Sequence, residues 1–117
     1  EYKYGDSRLD FYMEKQDEKY LMEVKGCTLE IDGIGYFPDA PSERAVRHLH
    51  ELMHAAKQGY HCILAFVIAM PGVMVVRPNM TTHPAFGQAL SEAMAAGVEV
   101  WYLPCEITAD SIKITED

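Results

Sequence analysis

The sequence predicts an α/β fold with a mixed central sheet flanked by helices. Three observations carry that expectation. Two segments, residues 7–14 and 20–25, alternate apolar and polar side chains at period two, whereas two later stretches repeat apolar residues at helical spacing. Between those stretches, Tyr60 to Met70 is a nearly unbroken apolar run, the pattern of a strand buried on both faces. Strands that begin as a meander and then alternate with helices need antiparallel and parallel neighbours in one sheet.

The elements follow in order. A first strand spans residues 7–14, with Leu9, Phe11 and Met13 on one face and Arg8, Asp10 and Tyr12 on the other. The polar break from Gln16 to Lys19 reads as a hairpin connection to a second strand over 20–31. Asp32-Gly33, between Ile31 and Ile34, is a hairpin turn signal, so a third strand over 34–38 completes an antiparallel meander. Pro41, Ser42 and Glu43 then open a helix with Ser42 as N-cap. Val46, Leu49, Met53 and Ala56 mark its core face, and Gly59 stops it. The buried strand follows, then a short strand over Val73 to Arg77 after Pro71-Gly72. His83-Pro84 starts a second helix that runs through Ala95 and stops at Gly97. Val98 to Cys105 is another strand, and 111–115 a short, partly exposed one. Met70, Met74, Met80 and Met94 are expected to fill the core.

At 117 residues and 49% hydrophobic, the chain suffices for one core and one domain. Its longest apolar run, Cys62 to Met70, is too short to span a bilayer, and no charged-then-apolar leader opens the chain. Cys27, Cys62 and Cys105 are odd in number, widely spaced and without a C-x-x-C. Reduced thiols are therefore expected, as in a cytoplasmic protein. The net charge of −8 runs against nucleic-acid binding, because no basic run supplies the usual phosphate footprint.

The most informative chemistry is Asp10 followed, thirteen positions on, by Glu23-Val24-Lys25. On adjacent antiparallel strands the two carboxylates lie close, and Glu23 and Lys25 share a face because strand side chains repeat every two residues. Carboxylate oxygens suit Mg²⁺ or Mn²⁺, and a neighbouring ammonium orients water, which is the chemistry of metal-dependent phosphodiester hydrolysis. A rival signal is His50-Glu51-Leu52-Met53-His54, an H-E-x-x-H on a helix, as in zinc hydrolases. Helix periodicity turns both histidines away from the core face, so two exposed histidines are expected there instead. Arg44 and His48 lie one turn apart on the other flank, as a solvated basic pair or a phosphate or water contact.

From Ser7 onward the chain resembles the sugar fermentation stimulation protein family, whose C-terminal domain is of the PD-(D/E)xK restriction-endonuclease-like type. The matching text is S-R-L-D-F at 7–11, E-V-K-G-C-T-L at 23–29, G-Y-F-P-D-A-P-S-E-R at 35–44, H-L-H-E-L at 48–52, P-A-F at 84–86 and A-G-V-E-V at 96–100. The resemblance implies that Asp10, Glu23 and Lys25 are catalytic, with the metal held by Asp10, Glu23 and the Val24 backbone carbonyl. It places Arg8, Asp39, Arg44 and His48 as contacts to substrate or supports of the site. Ala45 departs from the glycine usual at its position; as a better helix former it favours an earlier helix start. Family members are about twice this length, with an N-terminal domain resembling an oligonucleotide-binding barrel. Residues 1–6 then match the interdomain junction and 7–117 the nuclease-like domain. Implied are a Mg²⁺ or Mn²⁺ cofactor and a nucleic-acid partner, DNA foremost, contacted mainly through the N-terminal domain. The alternative is a DNA-binding or regulatory module that keeps the fold without cleavage.

Overall fold

The computed structural model describes residues 11–107 and the strand segments Tyr2–Tyr4, Ser7–Leu9 and Ile112–Ile114, with side chains from 11 to 105. In chain order the elements are β1 (Tyr2–Tyr4), β2 (Ser7–Leu9), β3 (Phe11–Lys15), β4 (Glu18–Cys27), β5 (Leu29–Ile31), β6 (Ile34–Phe37) and α1 (Glu43–Lys57). They continue with β7 (His61–Ile68), β8 (Val76–Pro78), α2 (Pro84–Ala95), β9 (Glu99–Ile107) and β10 (Ile112–Ile114). The main sheet has the order β10-β9-β7-β4-β3, parallel across β9, β7 and β4 and antiparallel at both ends. This is the mixed α/β architecture expected.

Two turns explain the local folding. Gln16 and Asp17 both take positive φ, 53° and 67°, so a two-residue turn joins β3 to β4 and Lys15 pairs with Glu18. Asp32 and Gly33 repeat the geometry, φ 52° and 83°, between β5 and β6. The expected polar connection at Gln16–Lys19 is thus shorter than its composition suggests.

The expected meander is corrected in two places. The first strand divides: β2 pairs with β1 and β3 pairs with β4. Beyond Cys27 the chain leaves the main sheet, and β5, β6 and β8 form a second sheet in which β6 runs parallel to β8. The place beside β4 goes to β7, whose eight consecutive residues from His61 to Ile68 pair with Tyr20 to Cys27. That pairing buries Cys62, Leu64, Phe66 and Ile68 along eight residues, more apolar surface than the shorter β5–β6 hairpin offers. The second sheet presses on the first at Gly35, where a Cβ would stand 2.9 Å from Cys27 Sγ and 3.2 Å from the Val75 carbonyl oxygen. The short strand expected at Val73–Arg77 lies at Val76–Pro78, because only Val76, Arg77 and Pro78 find partners on β6.

Both helices are bounded as the sequence indicates. Ser42 Oγ accepts the Ala45 backbone N–H at 3.1 Å, Gly59 takes φ 97° after α1, and Gly97 takes φ 105° after α2. The core face of α1 is rotated from expectation. Ala45, His48, Leu49, Leu52 and Ala55 are buried, while Val46, Met53 and Ala56 flank the core. The methionine expectation also fails, since Met74, Met80 and Met94 are 41%, 55% and 55% exposed and only Met70 packs against the core. Met94 lies on the solvent side of α2, and Met74 and Met80 lie in the segments before and after β8, outside any helix or strand whose period would turn them inward.

Candidate functional site

On β4 the side chains of Leu21, Glu23, Lys25 and Cys27 alternate onto the helix-covered face, opposite Cys62, Leu64, Phe66 and Ile68 of β7. Glu23 therefore sits in an apolar layer, only 2% exposed. A buried carboxylate needs partners, and two are supplied. Lys25, two residues along the same strand, brings Nζ within 3.4 Å of Glu23 Oε1. His48 reaches down from α1, with Nδ1 at 3.4 Å from Glu23 Oε2 and 3.1 Å from Lys25 Nζ. His48 Nδ1 thus stands within reach of both the Lys25 ammonium and the Glu23 carboxylate, and its tautomer sets which of the two it bonds.

The remaining residues assigned from sequence fall into place unevenly. Val24 pairs with Ala65 of β7 and turns its side chain to the opposite face. Asp10 lies outside the described residues, and Arg8 is described only as backbone of β2, opposite Lys3. Arg44 is exposed on the first turn of α1. The expected Arg44–His48 basic pair is therefore corrected: His48 is 3% exposed and belongs to the core face, one turn from a solvated arginine. Asp39 is exposed on the loop before α1, near enough that its charge helps hold the Cys27 thiol above its ordinary pKa, after burial, the main cause. His50 and His54 are exposed, as the periodicity required; His50 lies above α2 beside Gln88 and Glu92. Among the described residues no group of three or more His, Cys, Asp or Glu side chains is placed to hold a metal.

Sequence reasoning overlooked Asn79. Its Nδ2 donates to the Pro38 carbonyl at 3.0 Å and its backbone N–H to the Phe37 carbonyl at 2.8 Å. Its Oδ1 accepts from Thr82 N at 3.3 Å. Asn79 thus ties the loop carrying Asp39 to the entry of α2. The only signal for it was an Asn after Pro78, a common turn pair.

The chain that carries this arrangement resembles known proteins along nearly its whole length. The model of the sugar fermentation stimulation protein RE domain matches residues 1–111. The chain belongs to the sugar fermentation stimulation protein family. A homolog from Desulfitobacterium hafniense (strain Y51) is 47% identical over 110 residues, covering 94% of this chain and 48% of its own. One from Clostridium beijerinckii is 47% identical over 116 residues, 99% of this chain and 51% of its own. The chain thus spans about half the length of the family relatives it matches. A solved structure, Pyrococcus furiosus SfsA in complex with Ca²⁺, superposes with a TM-score of 0.87 at 32% identity, over 94% of this chain and 48% of that one. That likeness agrees with the nuclease-like fold of this family's domain.

Proposed function

We propose that this domain hydrolyses phosphodiester bonds of DNA or RNA with a divalent cation held at Glu23. The observation that carries the reading is the convergence of Glu23, Lys25 and His48 within 3.1 to 3.4 Å of one another on the covered face of β4. Buried charges at such cost are characteristic of functional sites. The donor set fits a hard cation: Glu23 supplies carboxylate oxygen, and Asp10 and the Val24 carbonyl would complete an all-oxygen set for Mg²⁺ or Mn²⁺. That the Pyrococcus relative was solved with Ca²⁺, another oxygen-seeking cation, supports this choice. The bound ion would lower the pKa of a water and neutralise phosphate charge.

This chain's own groups do the rest. Lys25, as an ammonium held by Glu23 and His48, turns its third N–H to the attacking water's oxygen, fixing it in line. His48 Nδ1 holds that ammonium from behind, and Arg44 on the open flank of α1 steers the phosphate chain. Hydrolysis adds the water's hydroxyl to phosphorus and its proton to the departing ester oxygen.

The second reading is a DNA-binding or regulatory module that keeps the fold without cleavage, since fold does not fix activity; the net charge of −8 runs against tight phosphate contact in either reading. One experiment separates them. The protein is incubated with Mn²⁺ or Mg²⁺ and single-stranded, duplex and branched DNA and RNA, beside Glu23→Ala. Cleavage that requires metal and is lost in Glu23→Ala is the expected outcome. Metal-dependent binding without cleavage selects the second reading.

A further inference from the structure

Asn79 uses backbone and side chain together on the loop that carries Asp39. Its backbone N–H donates to the Phe37 carbonyl at 2.8 Å and its carbonyl accepts from His83 N at 2.9 Å. Its Nδ2 donates to the Pro38 carbonyl at 3.0 Å, while Oδ1 accepts from Thr82 N at 3.3 Å, which leaves one orientation for the amide. Pro38 is fully buried and the Phe37 ring packs on Phe66 and Phe86, so apolar packing already anchors this strand end. Packing is non-directional. The amide adds direction, because a bond to the Pro38 carbonyl fixes the peptide plane from which Asp39 departs.

The surroundings of this loop show why an exposed aspartate is mounted so firmly. On one side β6 passes Cys27, whose Sγ lies 3.5 Å from the Tyr36 carbonyl oxygen, and Cys27 follows Lys25 by two residues on the same face of β4. On the other side the loop leads to Ser42, the cap of α1, whose second turn carries His48 to 3.1 Å from Lys25 Nζ. Residues 38–42 therefore bridge the two elements that build the Glu23–Lys25–His48 site. Burial raises the pKa of the Cys27 thiol and the charge of Asp39 adds to it, which sets the carboxylate near the end of the row Glu23, Lys25, Cys27. We infer that Asn79 is a positioning residue: it holds the Asp39 carboxylate where it accepts hydrogen bonds from water on the cation proposed at Glu23. Mg²⁺ held by one or two carboxylates keeps several waters, which donate outward, and an ionised carboxylate only accepts. The inference rests on the cation reading above and is independent of which phosphodiester is bound.

The test is a double-mutant cycle on Mn²⁺ affinity, titrated through the relaxation of water protons, with thermal melting of the same proteins. Asp39→Asn is expected to weaken Mn²⁺ binding severalfold. Asn79→Ala should weaken it severalfold in the parent and no further in Asp39→Asn, while Tm falls equally in both backgrounds. Asn79→Ser keeps an acceptor for Thr82 N but cannot reach the Pro38 carbonyl, so it takes the place of Asn79→Ala if that variant does not fold. Equal weakening in both backgrounds overturns the inference, because Asn79 then acts on the fold and not through Asp39. So does an Asp39→Asn or Asn79→Ala protein that binds Mn²⁺ as the parent does while Glu23→Gln loses the ion. Failure of the cation reading looks different: Glu23→Gln then binds Mn²⁺ like the parent, and this inference falls with it.

Discussion

Glu23 is the residue on which the energetics and the chemistry meet. Its carboxylate lies between Leu64 and the helix layer, where an ion is costly unless its partners are close. Lys25 and His48 lower that cost, and each also fixes the other. Because His48 Nδ1 lies 3.1 Å from Lys25 Nζ, a side chain that places a polar atom there should substitute for it in part. Lys25→Met, which removes the ammonium, is expected to lower kcat for phosphodiester cleavage by about 100-fold or more. His48→Leu should lower kcat with KM little changed, and His48→Gln should recover a share of it, because its amide both donates and accepts. Steady-state kinetics with Mn²⁺ check both. A His48→Leu enzyme as fast as the parent would show that the ring only fills space.

Among the elements, β7 is the most deeply placed and the most legible. Its apolar run is unmistakable because Ile63 and Ala65 on one face are buried along with Cys62, Leu64 and Phe66 on the other, which leaves no polar period to keep. Cys62 within it gives a test of that burial. Burial pushes its thiol from an ordinary value near 9 up to about 11. Between those values the folded chain keeps the proton and the unfolded chain loses it. The stability this contributes is fully present below pH 9 and is lost as pH rises toward 11. Denaturant midpoints measured across that window should fall for the parent and fall less for Cys62→Ala; parallel slopes would contradict the assignment. Reading β5 and β6 went wrong for the opposite reason. An Asp-Gly turn specifies a hairpin but not which sheet the hairpin joins, and that choice was settled by β7 outcompeting it for the edge of β4. The rotation of α1 was hidden because Ala45 and His48 are weakly apolar, whereas Val46 and Met53 advertise a face that lies at the margin of the core.

At the scale of the whole molecule, the charge of −8 and the proposed substrate oppose each other. Phosphate neutralisation supplies most non-specific affinity for DNA, so this chain alone is expected to bind duplex DNA weakly near physiological salt. Added Mg²⁺ should strengthen binding, and joining the rest of the family's chain should strengthen it further; a salt titration of each form reads this out. Tight, metal-independent binding would instead point to a local basic surface near Arg44 and Arg47. The Glu23–Lys25 half of the site was legible because alternation on a strand is a local rule. His48 was legible as a contact to substrate or a support of the site but not as a buried partner of Lys25, since its burial depends on how α1 is turned over the sheet. The most direct test of the central claim is Mn²⁺ binding, counted by the electron paramagnetic resonance of the free ion. The account predicts that Glu23→Gln loses a Mn²⁺ site while the His50→Ala, His54→Ala double variant keeps it. Mn²⁺ binding unchanged in Glu23→Gln, or lost with the two histidines, would contradict it.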